Sequence, residues 1–520
     1  ALVLSADRGR GKSAALGLAA AQILIDKSVL NTAKPFTLLV TSPNPQAVAT
    51  LFHHAKSRLV DFDSFRESSL NFNLNKHSLR FIPPDELSLT LPDADLVLVD
   101  EAAAIPQQLL APVIRHYQKL VCATTIHGYE GTGRGFEYKL KPQIQAGFPQ
   151  CVFRHLSRPI RFGTNDMLER VVNRLLALDV DAPVSPRLDP ISASSSSFGL
   201  RLWSKTELVE KREALEAIFA LMVNAHYRTT PTDLRYLLDG PNLDVLTLER
   251  DGHLVAAALV AKEGSLDDAL CEAIWQGRRR PRGHLFPQSL MAHAGIREAG
   301  AYRYARVVRV AVQPECQGTG VGTAFIETIS QHYRALRVDA LCTSFGASES
   351  LIRFWQRSGL AMARLGLKPE ASTGEVAAMM IKPLSSSSEE FVSRVNRRFL
   401  LNLPVEQALE IRTAGVKPLV KAILGDTEMK SPVDLTDQDA QQDLRDIDSF
   451  VHHHRTLDTC IAALYRRVMA LHKTKKQDIE PLLLDLVSGI ARPTLCEKYN
   501  LSGDKALIKA LRQAARPLLD

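Results

Sequence analysis

The 520-residue sequence has no run of about 18 uncharged apolar residues, so we expect no membrane-spanning helix. Its seven cysteines stand far apart and include no Cys-x-x-Cys pair. That spacing argues against a zinc site and a disulfide scaffold, and it favours a reducing compartment, the cytoplasm. No basic segment or cleavage site precedes the first apolar run, which argues against a signal peptide. Because the chain starts at Ala1 without a methionine, we expect the natural protein to begin upstream.

A large excess of either charge is also lacking. The formal net charge is +7, which leans towards a polyanionic partner but is equally compatible with an ordinary protein surface. Apolar residues make up 45% of the chain and charged residues 23%, as in common globular proteins. One hydrophobic core is not enough for a chain of this length, so we expect about three domains.

The chain divides into an α/β segment, a second α/β segment and a helical segment. Short apolar runs alternate with helical stretches in the first segment, which is typical of a parallel sheet covered on both faces. These runs are 2–5, 36–41, 79–82, 95–99, 120–125 and 151–155. A linker rich in proline and serine occupies 182–198, and serines at 385–388 mark the next break. The predicted domains are 1–190, 199–384 and 389–520.

The first apolar run leads into Ala-Asp-Arg-Gly-Arg-Gly-Lys-Ser at residues 6–13, and a helix follows. This is the Walker A spacing, with Ala6 in place of the first glycine. Backbone N–H groups of such a loop surround phosphates at a helix N-terminus, the lysine reaches the β- and γ-phosphates, and the serine ligates magnesium. A glycine-rich turn before a helix is the alternative. The expected ATP contacts are Gly9, Arg10, Gly11, Lys12, Ser13 and Ala14.

The apolar run 95–99 ends in two carboxylates. Asp100 is expected to hold magnesium through water, and Glu101 to polarise the water that attacks the γ-phosphate. A solvated acidic turn explains this motif less well, because a Walker A sequence lies upstream. Thr125 ends the next run, where a helicase-like lobe senses the γ-phosphate. Arg161, in Arg-Pro-Ile-Arg at 158–161, is either a contact that closes on the nucleotide or a surface arginine.

The second α/β segment carries a different glycine loop. A strand at 306–312 leads through Gln-Pro-Glu-Cys into Gln-Gly-Thr-Gly-Val-Gly at 317–322, and a helix follows. This pattern resembles the acetyl-CoA loop of the GNAT acetyltransferases, whose backbone amides take the pyrophosphate. A Rossmann loop is the competing interpretation, but it needs an acidic residue at the end of the next strand. The resemblance implies acetyl-CoA contacts at Val310, Ala311, Val312, Gln317, Gly318, Thr319, Gly320, Val321, Gly322 and Thr323.

The segment after this loop also resembles an acetyltransferase. Phe354 and Trp355 lie in a Phe-Trp-x-x-x-Gly-Leu ending beside the expected cofactor, although core packing is the favoured explanation for these two side chains. Arg357 is a candidate contact for a CoA phosphate. Ser350 stands where the resemblance implies a carboxylate near CoA.

Basic side chains concentrate at 278–282 and in the helical tail, and a solvated surface is the alternative in both places. The stretch 434–448 is acidic, so the tail is polarised. His284 follows the basic run and is the candidate base for acetyl transfer, with a hydrogen-bonded structural histidine as the alternative. The expected RNA contacts are Arg278, Arg279, Arg280, Arg282, Arg466, Arg467, Lys475 and Lys476.

Together these segments resemble the bacterial tRNA(Met) cytidine acetyltransferase family, a helicase-like ATPase fused to a GNAT-type acetyltransferase. The resemblance implies a multidomain α/β fold: a RecA-like P-loop sheet, a GNAT-type domain and a helical, tRNA-binding C-terminal domain. It also implies N4-acetylation of a wobble cytidine from acetyl-CoA, with magnesium-dependent ATP or GTP hydrolysis. No membrane or protein partner is inferred, and residues 44–78 exceed the length expected before the second motif. The most distinctive matches are 9–13, 100–106, 128–136, 159–161, 224–228 and 278–284.

Two other functions remain open from the residues. One is a helicase-like RNA remodelling factor that senses CoA without transferring acetyl groups, which the intact 317–322 loop disfavours. The other is a protein-lysine acetyltransferase, which the basic run at 278–282 disfavours. Only one RecA-like lobe is visible in the sequence, which favours local RNA remodelling over processive unwinding.

Overall fold

A computed structural model describes the chain except for residues 31–33, 126–140, 164, 178–197, 226–230, 370–374, 410–416, 425–434, 475–477 and 520. The described residues fall into two compact units. One lies within Ala1–Pro186 and Lys205–Gly240, and the other within Arg187–Ser204 and Pro241–Asp520. None of the helices in the described ranges combines the length and apolar character that crossing a membrane requires.

The strands of the first unit form one sheet in the order β3-β4-β5-β2-β6-β7-β1-β8. Its strands are β1 Leu2–Ala6, β2 Thr37–Thr41, β3 Phe65–Ser68, β4 Asn71–Leu74, β5 His77–Phe81, β6 Leu96–Val99, β7 Leu120–Thr125 and β8 Val152–Leu156. Its helices are α1 Lys12–Val29, α2 Ala49–Leu59, α3 Pro84–Thr90, α4 Gln107–His116, α5 Lys141–Gly147, α6 Met167–Leu176, α7 Lys205–Glu210, α8 Arg212–Ala225 and α9 Pro231–Asp239.

All six apolar runs predicted as strands in this unit are confirmed. They are neighbours in the sheet, in the order β5-β2-β6-β7-β1-β8, and every ladder between them is parallel. Strand interiors are buried because helices pack against both faces of the sheet. The excess length of 44–78 is explained by β3 and β4, which add an antiparallel hairpin at the β5 edge. The parallel ladders bring the carboxyl ends of β1, β6 and β7 to one edge.

The second unit contains a sheet of order β14-β15-β13-β12-β11-β10-β9 and a helical tail. Its strands are β9 Gly199–Trp203, β10 Leu243–Arg250, β11 His253–Gly264, β12 Arg303–Val312, β13 Ala340–Gly346, β14 Ala361–Pro369 and β15 Val376–Pro383. Its helices are α10 Asp268–Trp275, α11 Leu285–Ala294, α12 Val321–Ala335, α13 Glu349–Arg357, α14 Ser386–Ala408, α15 Lys417–Leu424, α16 Asp437–His452, α17 Leu457–Thr474, α18 Pro481–Val487, α19 Arg492–Lys498 and α20 Asp504–Ala515.

Two cores cover the two faces of this sheet. On one face, Ala305 and Val307 of β12 belong to the same buried cluster as Phe325 of α12. On the other face, Tyr304 packs in a cluster with Phe286 of α11. Alternate β12 residues therefore point to opposite faces, as the pleat of a strand requires.

Helix α14 begins at the predicted boundary near 385 yet completes both of these cores. Phe399 and Leu403 belong to the cluster on the α12 side, and Phe391 belongs to the cluster on the α11 side. The tail beyond it has a core of its own, in which Ile447 and Phe450 are fully buried.

Buried ion pairs connect α14 with the tail. Arg398 Nη2 lies 2.5 Å from Asp443 Oδ1 and 2.6 Å from Asp446 Oδ2. Arg455 also pairs with Asp446, and Arg466 Nη2 lies 2.7 Å from Asp443 Oδ1. Two carboxylates of the acidic stretch recognised in the sequence, Asp443 and Asp446, are thus paired with arginines in the interior. We call Arg398, Asp443, Asp446, Arg455 and Arg466 the ion cluster.

Candidate functional site

The loop between β1 and α1 has the conformation of a phosphate-binding loop. Gly9 and Gly11 have φ values of +81° and +79°, which favour glycine. Gly11 precedes the first residue of α1, so the helix N-terminus opens onto the loop. Lys12 is 6% exposed, and its ammonium points back at the carbonyl oxygens of Ala6 and Asp7, at 3.5 and 3.4 Å. Burial lowers the Lys12 pKa, against the raising effect of Glu101 and Asp100.

The two predicted carboxylates lie beside this loop at the end of β6. Burial raises the pKa of Asp100 to about 6, while the Ser13 hydroxyl acts to lower it. Asp100 Oδ1 accepts a hydrogen bond from Glu101 N at 3.1 Å, and buried Oδ2 has no well-formed hydrogen bond with any described residue. Glu101 adopts φ +49°, and the Thr125 hydroxyl donates to its carboxylate. A buried carboxylate with a spare oxygen next to a serine hydroxyl fits a magnesium site.

The Arg-Pro-Ile-Arg segment packs directly on the glycine loop. Ile160 N and Arg161 N both donate to Gly9 O at 3.0 Å. A Cβ built on Gly9 would lie 3.0 Å from Arg161 Cβ. The structure thus brings Arg161 to the predicted nucleotide site.

Arg10 has a partner that sequence reasoning missed. Its guanidinium lies 2.5 Å from the carboxylate of Glu169 on α6, and the Arg10 side chain is only 11% exposed. Arg10 can therefore offer a phosphate its backbone N–H, while its side chain anchors the loop to α6. The ion pair joins positions 159 residues apart, so no local pattern indicates it.

The second site begins where β12 and β13 separate. Their parallel ladder ends at the pair Val307–Thr343, although β12 continues to Val312. β12 remains paired with β11 over Val310, Ala311 and Val312, with Val308 as an extra bulged residue. Within the described residues, the β13-facing edge of β12 is therefore not paired with another strand beyond Val307, and we call this part of β12 the open edge. An extended amide-containing chain could add to this edge as a further strand would.

The open edge leads into the second glycine loop. Gln317 Nε2 donates to Val312 O at 3.0 Å, and the Thr319 hydroxyl donates to Cys316 O at 2.7 Å, which fixes the turn. Gly318 and Gly320 have φ values of +76° and +92°, and a Cβ on either would meet no atom within 4 Å. Gly320 caps α12, whose first residues are Val321, Gly322 and Thr323. The loop therefore presents backbone N–H groups to open space at a helix N-terminus, which suits a pyrophosphate.

Side chains around this loop divide into packing and surface roles. Trp355 is buried in the sheet core, and Phe354 lies against Gly322, where a Cβ would come within 3.1 Å of its ring. Arg357 is exposed at the end of α13. Ser350 hydrogen-bonds Ser348 at 3.2 Å. The carboxylate of Glu375 packs against Gly346 at the end of β13, a position that no sequence motif indicated.

His284 serves the fold in this structure. Its Nδ1 accepts a hydrogen bond from Gly264 N at 2.9 Å, so the neutral ring carries its proton on Nε2. The contact occupies the Nδ1 lone pair, which favours the structural histidine over the acetyl-transfer base. The neighbouring Glu263 receives hydrogen bonds from Phe286 N at 2.8 Å and Arg306 Nε at 2.6 Å.

The predicted RNA contacts separate into three groups. Arg278, Arg279, Arg280 and Arg282 are all exposed. Arg466 belongs to the buried ion cluster, and its prediction as an RNA contact was wrong because its charge is already paired with Asp443. Arg467 is half-buried, with Nε donating to Leu518 O at 3.0 Å. Lys475, Lys476 and the motifs at 128–136 and 226–228 lie outside the described residues.

Comparison with protein families divides the chain into three matched segments. Residues 3–179 match the family described as RNA cytidine acetyltransferase NAT10/TcmA, helicase domain. Residues 217–339 and 334–385 match GNAT acetyltransferase 2, and residues 421–520 match the tRNA-binding domain.

Comparison with individual proteins gives relatives of the same kind over the whole chain. The tRNA(Met) cytidine acetyltransferase of Nitrosococcus halophilus is 37% identical, over 100% of this chain and 68% of its own length. That of Vibrio cholerae is 33% identical, over 100% of this chain and 69% of its own length. The chain belongs to the tRNA(Met) cytidine acetyltransferase family.

Proposed function

We propose that this chain uses acetyl-CoA and ATP, or GTP, to form N4-acetylcytidine in RNA, at the wobble cytidine of elongator tRNA(Met). The observation that carries the proposal is the open edge of β12, which ends in a glycine loop at a helix N-terminus. The names of the full-length relatives support the choice of tRNA(Met). The seven free cysteines support a cytoplasmic location.

In the acetyltransferase site the chain's own groups hold the donor. The β13-facing edge of β12 at Val310–Val312 binds the pantetheine amides, and the N–H groups around Gly318 and Gly320 bind the pyrophosphate. This fixes the thioester where β12 and β13 diverge. Alignment matters here because the exocyclic amine of cytosine is conjugated with its ring and is a poor nucleophile.

In the nucleotide site Lys12 binds the β- and γ-phosphates, and Arg161 adds a second positive charge. Ser13 and Asp100 would hold magnesium, which neutralises phosphate charge when it is bound. Glu101, fixed by Thr125, orients the attacking water. Hydrolysis supplies work for exposing the cytidine, because unstacking a base in a folded RNA costs a few kcal/mol.

The proposal is tested by incubating the chain with labelled acetyl-CoA, ATP, magnesium and an unmodified tRNA(Met) transcript. Nucleoside mass spectrometry should find N4-acetylcytidine, and a transcript with uridine at the wobble position should remain unlabelled. Lys12→Ala should abolish hydrolysis and strongly lower acetylation while leaving acetyl-CoA binding intact. Label on protein but not on RNA would indicate the lysine acetyltransferase. ATP hydrolysis and CoA binding with no transfer to either would indicate the remodelling factor.

A further inference from the structure

The basic run recognised in the sequence lies against the turn between α16 and α17. His454 N donates to Gln276 O at 3.2 Å, and a Cβ on Gly277 would lie 3.0 Å from His454 Cβ. The rings of Trp275 and His453 meet edge to face, with centroids 5.7 Å apart. Two basic segments separated by about 170 positions in the sequence are thereby adjacent. We call residues 277–282 the arginine loop and residues 452–454 the histidine turn.

The charges of the arginine loop are available to a ligand. Its four arginines are exposed, and none of them forms an ion pair with any carboxylate in the described part of the chain. The nearby carboxylates of Asp268 and Glu272 are paired with Arg297 instead, at 2.7 and 2.5 Å. In the turn, His452 and His454 are exposed, and His452 Nδ1 lies 2.8 Å from Asp448.

Hydrogen bonds behind the surface fix the arginine loop and the histidine turn relative to each other. Gly295 O accepts hydrogen bonds from Trp275 Nε1 at 3.1 Å and from Gln442 Nε2 at 3.0 Å. Arg455, the residue after the turn, belongs to the ion cluster and also donates to His293 O at 3.2 Å. A partner would meet a preformed surface, so little of the binding free energy would be lost in ordering it.

Short contacts also connect the arginine loop to the acetyltransferase centre. Gln288 of α11 donates to Pro281 O in the loop at 2.6 Å, and Phe286 N of the same helix donates to Glu263. The same carboxylate pairs with Arg306, the residue before Val307, where the β12–β13 ladder ends. A ligand on the loop therefore sits on the structure that borders the proposed thioester position.

We propose that the arginine loop and the histidine turn form one binding surface for RNA phosphates, which positions the tRNA for acetyl transfer. The inference rests on the proposed function. Guanidinium groups match phosphate oxygens in geometry and charge. RNA is favoured over an acidic protein because the matched tRNA-binding domain, 421–520, contains the histidine turn.

The experiment measures binding of a fluorescent, unmodified tRNA(Met) transcript between 50 and 300 mM KCl, roughly the range over which phosphate contacts are screened. Arg279→Ala combined with Arg282→Ala should raise Kd about tenfold or more and reduce the salt slope by about two. The matched control is Arg334→Ala with Arg337→Ala, which removes two exposed arginines at the end of α12, the helix on the opposite face of the sheet. It should change Kd less than about twofold.

A double-mutant measurement tests whether the arginine loop and the histidine turn bind the same RNA segment. His454→Glu should weaken binding, and its effect should shrink when Arg279 and Arg282 are already replaced, because the same RNA segment is then detached. The inference is overturned if the loss of affinity caused by His454→Glu is the same in the parent and in the Arg279/Arg282 variant. Parent-like affinity of the Arg279/Arg282 variant would also overturn it. The proposed function fails in a different way: the parent protein would then bind tRNA(Met) without acetylating it. Parent-like acetyl-CoA binding and thermal unfolding confirm that each variant is folded.

Discussion

The hydroxyl of Thr125 lies 3.0 Å from both carboxylate oxygens of Glu101 and links the carboxyl ends of neighbouring parallel strands. Glu101 has a φ of +49°, a conformation that costs a non-glycine residue about 1–3 kcal/mol. Backbone strain of this kind persists where surrounding contacts fix it, and here Thr125 is one of them. The contact explains how a strained, half-buried carboxylate is aimed at the nucleotide loop.

Replacing Thr125 with valine removes the donor while keeping the shape of the side chain. ATP turnover should fall about tenfold or more, since a positioned proton acceptor contributes roughly 10²–10⁴-fold to catalysis, while ATP affinity stays within about twofold. Phosphate release and calorimetry measure the two effects. Thr124→Val is the matched control, because the Thr124 hydroxyl is buried without a hydrogen bond to any residue described in the structure. Equal turnover in the two variants would contradict the assigned contact.

Asp100→Asn should stabilise the nucleotide-free protein while abolishing hydrolysis. The pKa of Asp100 is raised from 3.8 to about 6, so between these values the folded chain holds a proton that the unfolded chain has lost. Stability therefore decreases as pH rises through this window and stays lower above it, by about 3 kcal/mol.

Thermal unfolding without nucleotide measures this effect. At pH 7.5 the Asp100→Asn variant should unfold at a higher temperature than the parent, and the difference should largely disappear towards pH 4. A difference that is independent of pH would show that burial of the Asp100 charge is not its cause.

Gly320→Glu should weaken acetyl-CoA binding by at least about a hundredfold. The substitution introduces a carboxylate where two phosphates are expected, and like charges in a partly desolvated loop cost several kcal/mol. Gly503→Glu is the matched control, since Gly503 also caps a helix with positive φ and has open space around it. Calorimetry on the full chain measures both, and the ATPase rate without RNA should be unchanged. Parent-like binding by the Gly320 variant would remove the loop from the cofactor site.

Local patterns predicted most of what these experiments address. Glycines with positive φ and apolar runs ending in carboxylates are determined by neighbouring residues, so the two loops, Asp100 and the parallel strands of the first sheet followed from the sequence, whereas the hairpin of β3 and β4 did not. The separation of β12 from β13 after Val307 did not, because it depends on pairing between distant strands. The contact of His284 was not predictable for the same reason, since its partner Gly264 lies 20 residues away across the α10 segment.

The tail shows what charge patterns alone leave open. Arg466 looked like a surface cation in a basic segment, but its partner Asp443 lies 23 positions earlier on another helix. Asp439, Asp443 and Asp446 are spaced four and three apart, which puts them on one face of α16. That spacing predicts a shared face but not whether solvent or buried arginines lie opposite.

Asp446→Ala should strongly destabilise the second unit. Its carboxylate is buried and pairs with Arg398 and Arg455, whose side chains are 6% and 1% exposed. Removing it leaves two guanidinium groups poorly compensated in the interior, at a cost of about 3–5 kcal/mol. Asp448→Ala, two residues along the same helix, removes only a half-exposed partner of His452 and should cost less than about 1 kcal/mol.

Urea unfolding followed by circular dichroism compares the two variants with the parent. Because α14 completes both cores of the sheet, acetyl-CoA binding should be lost at a lower urea concentration in the Asp446 variant. If the two variants unfold alike, the ion cluster does not hold the tail to the acetyltransferase sheet.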